Sequence, residues 1–189
     1  MPATAEYREL IMTDFDIART RPLRMGIELS ATQPWIELTA RRGGIDGPVD
    51  TPLRVQASDL RDAYQKVATV RADVGNEVPT MLDVEVLIAQ DSRSARTSLA
   101  ILDSTLRTVR RPASMLYVGT PSGLAGLIAD IHTLGIADGV ILRPLLLPGV
   151  LVHILDEVVP ALYPAGLRPC ADAVEFLRRV AAGRQLRPA

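Results

Sequence analysis

The sequence predicts an α/β fold: an incomplete (β/α) barrel-like sheet of about five parallel strands alternating with helices. Three observations lead there. Short apolar runs alternate with amphipathic stretches five times along 189 residues, the rhythm of parallel strands joined by helical crossovers. No Asn-Gly or similar two-residue turn joins two strand candidates, so hairpins are not expected. The apolar share is 48% with only 4% aromatic, and Leu, Val, Ile and Ala carry it, which suits strands buried on both faces.

Residues 1–21 are read as an arm of uncertain order, with weak helical character over Glu6–Met12, attached to a single domain spanning 1–189. Leu23–Leu29 reads as the first strand. Ala31–Arg42 follows as a helix, with Thr32 as N-cap and Pro34 in the first turn, and Gly43-Gly44 ends it. The Gly- and Pro-rich stretch after it is loop. Leu53–Ala57 is the second strand, and Ser58 caps the helix after it, whose Leu60, Tyr64, Val67 and Val74 fall on one side at helical spacing. Gly75 stops that helix. Thr80–Ala89 is the third strand, with Leu82, Val84 and Val86 alternating at first. Asp91 or Ser92 opens the helix to Arg110. Ser114–Val118 is the fourth strand; Gly119, Thr120 as N-cap and Pro121 in the first turn start a helix to about Leu134. Gly139–Leu142 is the fifth strand. Helices over about Val150–Tyr163 and Ala171–Ala182 complete the chain.

Composition excludes several functions. With 21 basic and 22 acidic residues, the chain lacks the electrostatic footprint of a nucleic-acid binder. A single cysteine, Cys170, forbids an intrachain disulfide framework or a thiolate cluster and fits a reducing compartment. The longest apolar run, Pro144–Leu155, is too short and too broken by proline to span a membrane. The first residues are interrupted by charges, unlike a signal peptide. A cytoplasmic protein without a metal centre is the expectation.

One stretch carries a resemblance. Gly119-Thr120-Pro121, Asp138-Gly139, Leu142 with Pro144, Leu147-Pro148-Gly149, and Val158-Val159-Pro160 with Leu162 and Gly166 occur in order and at suitable spacing. Together they resemble the C-terminal part of the bacterial luciferase-like flavin-dependent monooxygenases, in the branch of the nitrilotriacetate and alkanesulfonate enzymes. The likeness covers roughly Leu53 to Leu167. It implies a (β/α) barrel with flavin mononucleotide (FMN) at the carboxyl ends of the strands, and an oxidoreductase activity in which reduced flavin and oxygen oxidise an organic substrate. The matching Gly and Pro residues act chiefly through backbone geometry, so they are read as scaffold.

A closed barrel takes about 250 residues, and five βα units leave some three strands unaccounted for. No catalytic residue of the family is carried onto this chain; His132 and His153 are read as surface or packing residues on outer helices. An unclosed parallel sheet exposes backbone at its edges and an apolar inner face. A homodimer or a complementing chain is therefore expected, with the N-terminal arm as another way of covering that face.

Any pocket belongs where strands end, beside Glu28, Ser30, Gln56, Ser58, Gln90, Thr120 and Arg143. Arg143 is the foremost candidate, a permanent cation able to meet a phosphate or a flavin carbonyl; its plain alternative is an ion pair with Asp138 or Glu157. Gln56, Ser58 and Thr120 complete the candidate cofactor-binding set, Thr120 through the helix start behind it. No dinucleotide fingerprint, P-loop, nucleophile elbow or metal-binding His–Glu spacing occurs. Three functions compete: a truncated flavin-dependent monooxygenase, a non-catalytic binding or assembly protein on the same scaffold, and one half of a split enzyme.

Overall fold

The computed structural model describes residues 21–39, 51–106, 114–183. The expectations for the N-terminal arm, the Gly-rich loop and the end of the helix after Asp91 fall largely outside those residues. Strands are β1 (Arg24–Ile27), β2 (Ile36–Glu37), β3 (Leu53–Val55), β4 (Thr80–Ile88), β5 (Met115–Gly119) and β6 (Gly139–Pro144). Helices are α1 (Leu60–Val74), α2 (Ser92–Thr105), α3 (Pro121–Thr133), α4 (Gly149–His153), α5 (Val159–Ala161) and α6 (Ala171–Ala181). One π turn, Ile154–Val158, joins α4 to α5. It ends beside Pro160, whose missing N–H and bulky ring disturb a regular helical ladder.

The architecture is an incomplete barrel-like α/β sheet, parallel in all but one pairing, alternating with helices. Its strand order is β2-β1-β6-β4-β3, with β5 also on β4. Strand β6 pairs with β4 from Met81 to Val86, which occupies one whole edge. Strands β3 and β5 therefore share the other edge in tandem, β3 against Thr80–Leu82 and β5 against Val84–Ile88. Neighbours in this sheet are thus not always neighbours in sequence, as they are in a closed (β/α) barrel.

Side chains alternate across the strands. Met25, Ile27, Val55, Leu82, Val84, Val86, Ile88, Val140 and Leu142 belong to the core packed beneath the helices, with Leu124, Ile128, Ile131, Leu151, Ile154 and Val158. Met81, Leu87 and Ile141 are just as buried but lie outside that core. They belong to the opposite, concave face.

Several local starts follow directly from sequence. Thr120 caps α3, its Oγ1 accepting from Gly123 N at 3.2 Å. Asp91 caps α2, accepting from the amides of Arg93 and Ser94, both at 2.9 Å. Ser58 does not cap α1. The cap is the next residue, Asp59, which accepts from Asp62 N, while the Asp62 carboxylate accepts from Ser58 N at 2.9 Å. That reciprocal pair satisfies two amides at once.

The helix expected over Ala31–Arg42 is absent from its described part. Residues Ile36–Glu37 form β2, antiparallel to β1, so a hairpin exists after all. Its loop is long, not the two-residue turn that was sought. Trp35-Ile36-Glu37-Leu38 alternates with the period of a strand: Ile36 and Leu38 pack on the core, Trp35 lies on Gly26, and Glu37 binds Arg24 at 2.7 Å. On α1, Ala63 and Val67 are the buried residues, whereas Tyr64 and Val74 are exposed.

Candidate functional site

The concave face carries a row of charge. Asp83 and Glu85 alternate with Leu82, Val84 and Val86 along β4, so both carboxylates point away from the helices. Registers place Ile141 between Gly26 and Asp83, and Arg143 beside Glu85. Glu28 lies next to Arg143, since its amide donates to Leu142 O at 2.9 Å. Arg54 and Gln56 reach in from β3 and the turn after it.

These six side chains form one network. Arg54 Nε donates to Asp83 Oδ1 at 2.6 Å, and its Nη2 donates to Glu28 Oε2. Gln56 Nε2 donates to Asp83 Oδ2 at 3.1 Å. Asp83 is fully buried, and Glu28 and Glu85 nearly so. The Asp83 hydrogen bond, opposed by burial and aided by both carboxylate charges, raises the Arg54 pKa above its already high ordinary value. Arg54 is thus a permanent cation serving two acids that lie on different strands.

Arg143 is held more loosely. Its Nε is 3.5 Å from Glu28 Oε1 and its Nη1 3.8 Å from Glu85 Oε1, with a quarter of the side chain exposed. Both separations exceed good hydrogen-bonding distance. The expected alternative partners are not the ones found. Asp138 sits at the other end of β6, about 16 Å away by strand rise, and Glu157 is engaged by His153 Nδ1 at 2.5 Å.

Asp138 anchors the amino end of the sheet. It accepts from Thr80 N at 2.8 Å and Thr80 Oγ1 at 3.0 Å, and pairs with Arg71 at 3.4 Å and Arg21 at 3.3 Å. Gly139 beside it is forced by packing: a Cβ there would lie 2.1 Å from Arg24 O. This explains the Asp-Gly pair structurally.

The α3 start is filled by the chain itself. Tyr117 Oη donates to Thr120 O at 3.2 Å and occupies the room that Gly119 and Gly123 leave, where added Cβ atoms would lie 2.7 Å and 2.2 Å from it. Gln56 and Arg143 therefore share the concave network, whereas Ser58 and Thr120 sit at the helix starts. His132 Nε2 donates to Arg21 O at 3.0 Å, at the amino end of the sheet. Among the described residues no group of His, Cys, Asp and Glu could hold a metal ion, and no helix is long and apolar enough to cross a membrane.

Arg54, Asp83 and Glu85 were not singled out from sequence. The signal was present in "LDVEVL", where two acids occupy alternate positions of an otherwise apolar strand. Such residues face a polar interior or each other.

No protein-family profile matches the chain, and no curated protein matches it. Among solved structures, the crystal structure of riboflavin lyase (RcaE) with modified FMN and substrate riboflavin is similar over 71% of this chain, at 18% identity and a TM-score of 0.49. The alignment takes in 44% of that chain, so the present chain spans less than half of it. Likeness at that score bears no weight on site or activity.

Proposed function

We propose that the protein is a luciferase-like scaffold that binds FMN, or a similar anionic cofactor, at the carboxyl ends of its strands, with Arg143 as the principal contact. The observation carrying this reading is the state of Arg143: among the described residues its guanidinium makes no hydrogen bond and keeps only two long ion pairs. A planar fork of donors in that condition suits a phosphate or another oxyanion. Gln56 belongs to the same network through Asp83, and Ser58 and Thr120 follow the carboxyl ends of β3 and β5. The ordered spacing of the Gly and Pro motifs from Gly119 to Gly166 supports the family assignment.

The flavin, when bound, would supply redox chemistry at its ring. The chain supplies binding and orientation; none of the described residues stands out as a proton donor or acceptor for that ring. Monooxygenase turnover therefore calls for groups from a second copy or a complementing chain. In support, β5 pairs only with β4 among the described strands, leaving its outer edge for another polypeptide.

A titration of oxidised FMN followed by flavin fluorescence tests the reading. Saturable binding that weakens at least tenfold in Arg143→Ala is the expected result. Lack of affinity in the parent protein would refute it.

A second reading is favoured by a different observation. Arg54, Asp83, Glu28 and Gln56 satisfy one another, as in a scaffold kept for binding or assembly without catalysis. Oxygen uptake with reduced FMN, abolished in Arg143→Ala, would reject that alternative.

A further inference from the structure

The sheet is open, yet its concave face is not bare: Met81, Asp83 and Ile141 are all but completely buried there. Arg54 reaches from β3 across the inner face towards β1. It sits on β3, while Glu28 follows β1, and in the sheet β4 and β6 lie between those two strands. In a flat sheet that separation is three strand spacings, about 14 Å, more than an arginine side chain spans. The Arg54–Glu28 hydrogen bond therefore requires strong curl. Its Asp83 bond at 2.6 Å fixes the guanidinium midway.

We propose that Arg54 is a clasp: by bonding Asp83 and Glu28 together it holds β3 curled towards β1 and closes the inner face of the unclosed barrel. Three features favour a clasp over an ordinary surface ion pair. Both acceptors are buried carboxylates, for which Arg supplies charge-assisted bonds. The two acceptors lie on non-adjacent strands, so the interaction fixes a long-range geometry that no backbone ladder enforces. And β3 is short, with only three residues paired to β4, so few other contacts hold that edge. Glu28 is shared, its Oε2 with Arg54 and its Oε1 with Arg143 at 3.5 Å. Clasp and candidate binding residue thus draw on one carboxylate, and opening the first changes the surroundings of the second.

The inference does not depend on flavin binding and is tested without a ligand. Amide hydrogen exchange is measured strand by strand for the full chain and for Arg54→Met, which keeps the aliphatic stem but removes the charge and the donors. The expected result is exchange over Leu53–Val55 that speeds up about tenfold more than over β1, β6 and the centre of β4, which follow only the loss of global stability, as local opening of one edge requires. Binding of an apolar fluorescent dye should rise with it, as Met81 and Ile141 become accessible. If Arg54→Met fails to fold, Glu28→Gln keeps the volume and removes the far charge, and should speed exchange selectively over the same strand. Unchanged protection of β3 in the folded variant would overturn the proposal. So would a uniform loss over every strand, since that reports general destabilisation and not an opened edge.

Discussion

Arg54 Nε and Asp83 Oδ1 lie 2.6 Å apart on the inner face of the sheet, joining a half-exposed cation to an acid that solvent does not reach. Removing the cation leaves Asp83 buried with Gln56 as its remaining described donor. Uncompensated burial of a carboxylate is strongly unfavourable, although the exposure of Arg54 moderates the effect. Arg54→Met is expected to lose about 1–3 kcal/mol in urea unfolding. Asp83→Asn in the same background should recover part of that loss, because the stranded charge is then gone. A double variant no more stable than Arg54→Met would contradict this account.

Asp138 tests the other end of the sheet. Its carboxylate receives the buried amide and hydroxyl of Thr80 together with two arginines. Asp138→Ala orphans both Thr80 groups, and each unsatisfied buried group costs about 1–3 kcal/mol. A loss of about 3 kcal/mol or more is expected by chemical denaturation. Thr80→Val with Asp138→Ala should be less damaging than the sum of the two single changes, since the orphaned hydroxyl disappears.

Much of this arrangement was legible in the sequence, and the failures have identifiable causes. Strands β3 to β6 and helices α1 to α3 follow from period, caps and Gly or Pro punctuation, all local properties. The stretch Trp35–Leu38 departs from expectation because Thr32 with Pro34 two residues on suggests a helix start, while its period of two is visible only over four residues. The charged face was missed for another reason. That Arg54 meets Glu28, or that Arg143 meets Glu85, depends on β6 lying between β1 and β4, and no local pattern encodes strand order. The same holds for Arg143: of its expected partners, Asp138 lies at the far end of β6 and Glu157 is bound by His153.

Two aspartates predict a pH dependence. Asp91 is held below the ordinary carboxylate value of 3.8, chiefly by the Ser94 hydroxyl and then by the Ser94 and Arg93 amides. Asp62 is lowered by the Ser58 amide first and Lys66 next. A depressed folded pKa contributes stability that is full above the unfolded value and disappears as pH falls through the folded one. The helical signal should therefore weaken as pH drops below about 3.8. Asp91→Ala should lower Tm at pH 7 and lose that difference in the acid range; a difference independent of pH would exclude the charge as its source.

Glycines in the middle of the chain separate packing from propensity. Gly139→Ala sets a Cβ against the Arg24 carbonyl, backbone that cannot step aside, and overpacking of this kind costs about 1–3 kcal/mol or more. Gly126 in α3 has no atom within 4 Å of the added carbon. Gly126→Ala should instead stabilise by about 0.5–1 kcal/mol from backbone entropy. Opposite signs in one thermal-unfolding series are the expected outcome.

Gly123 combines the two effects and gives a sharper test. Its added Cβ would lie 2.2 Å from Tyr117 Oη, 3.3 Å from Thr120 Oγ1 and 3.5 Å from Tyr117 Cζ, so the main conflict is with the Tyr117 hydroxyl. Gly123→Ala in the parent should be destabilising, because the ring is packed against the core and cannot swing away freely. Tyr117→Phe removes the obstacle together with the bond to Thr120 O, a loss of about 1 kcal/mol. In that background the added Cβ meets only the slightly tight contact with Thr120 Oγ1 at 3.3 Å, and the helix preference for Ala over Gly, up to about 1 kcal/mol, offsets it. The substitution should then be much less destabilising beside Phe than beside Tyr. Equal effects in both backgrounds would mean that the hydroxyl does not occupy the notch at the start of α3, and the reading of that junction as filled by the chain itself would fail with it.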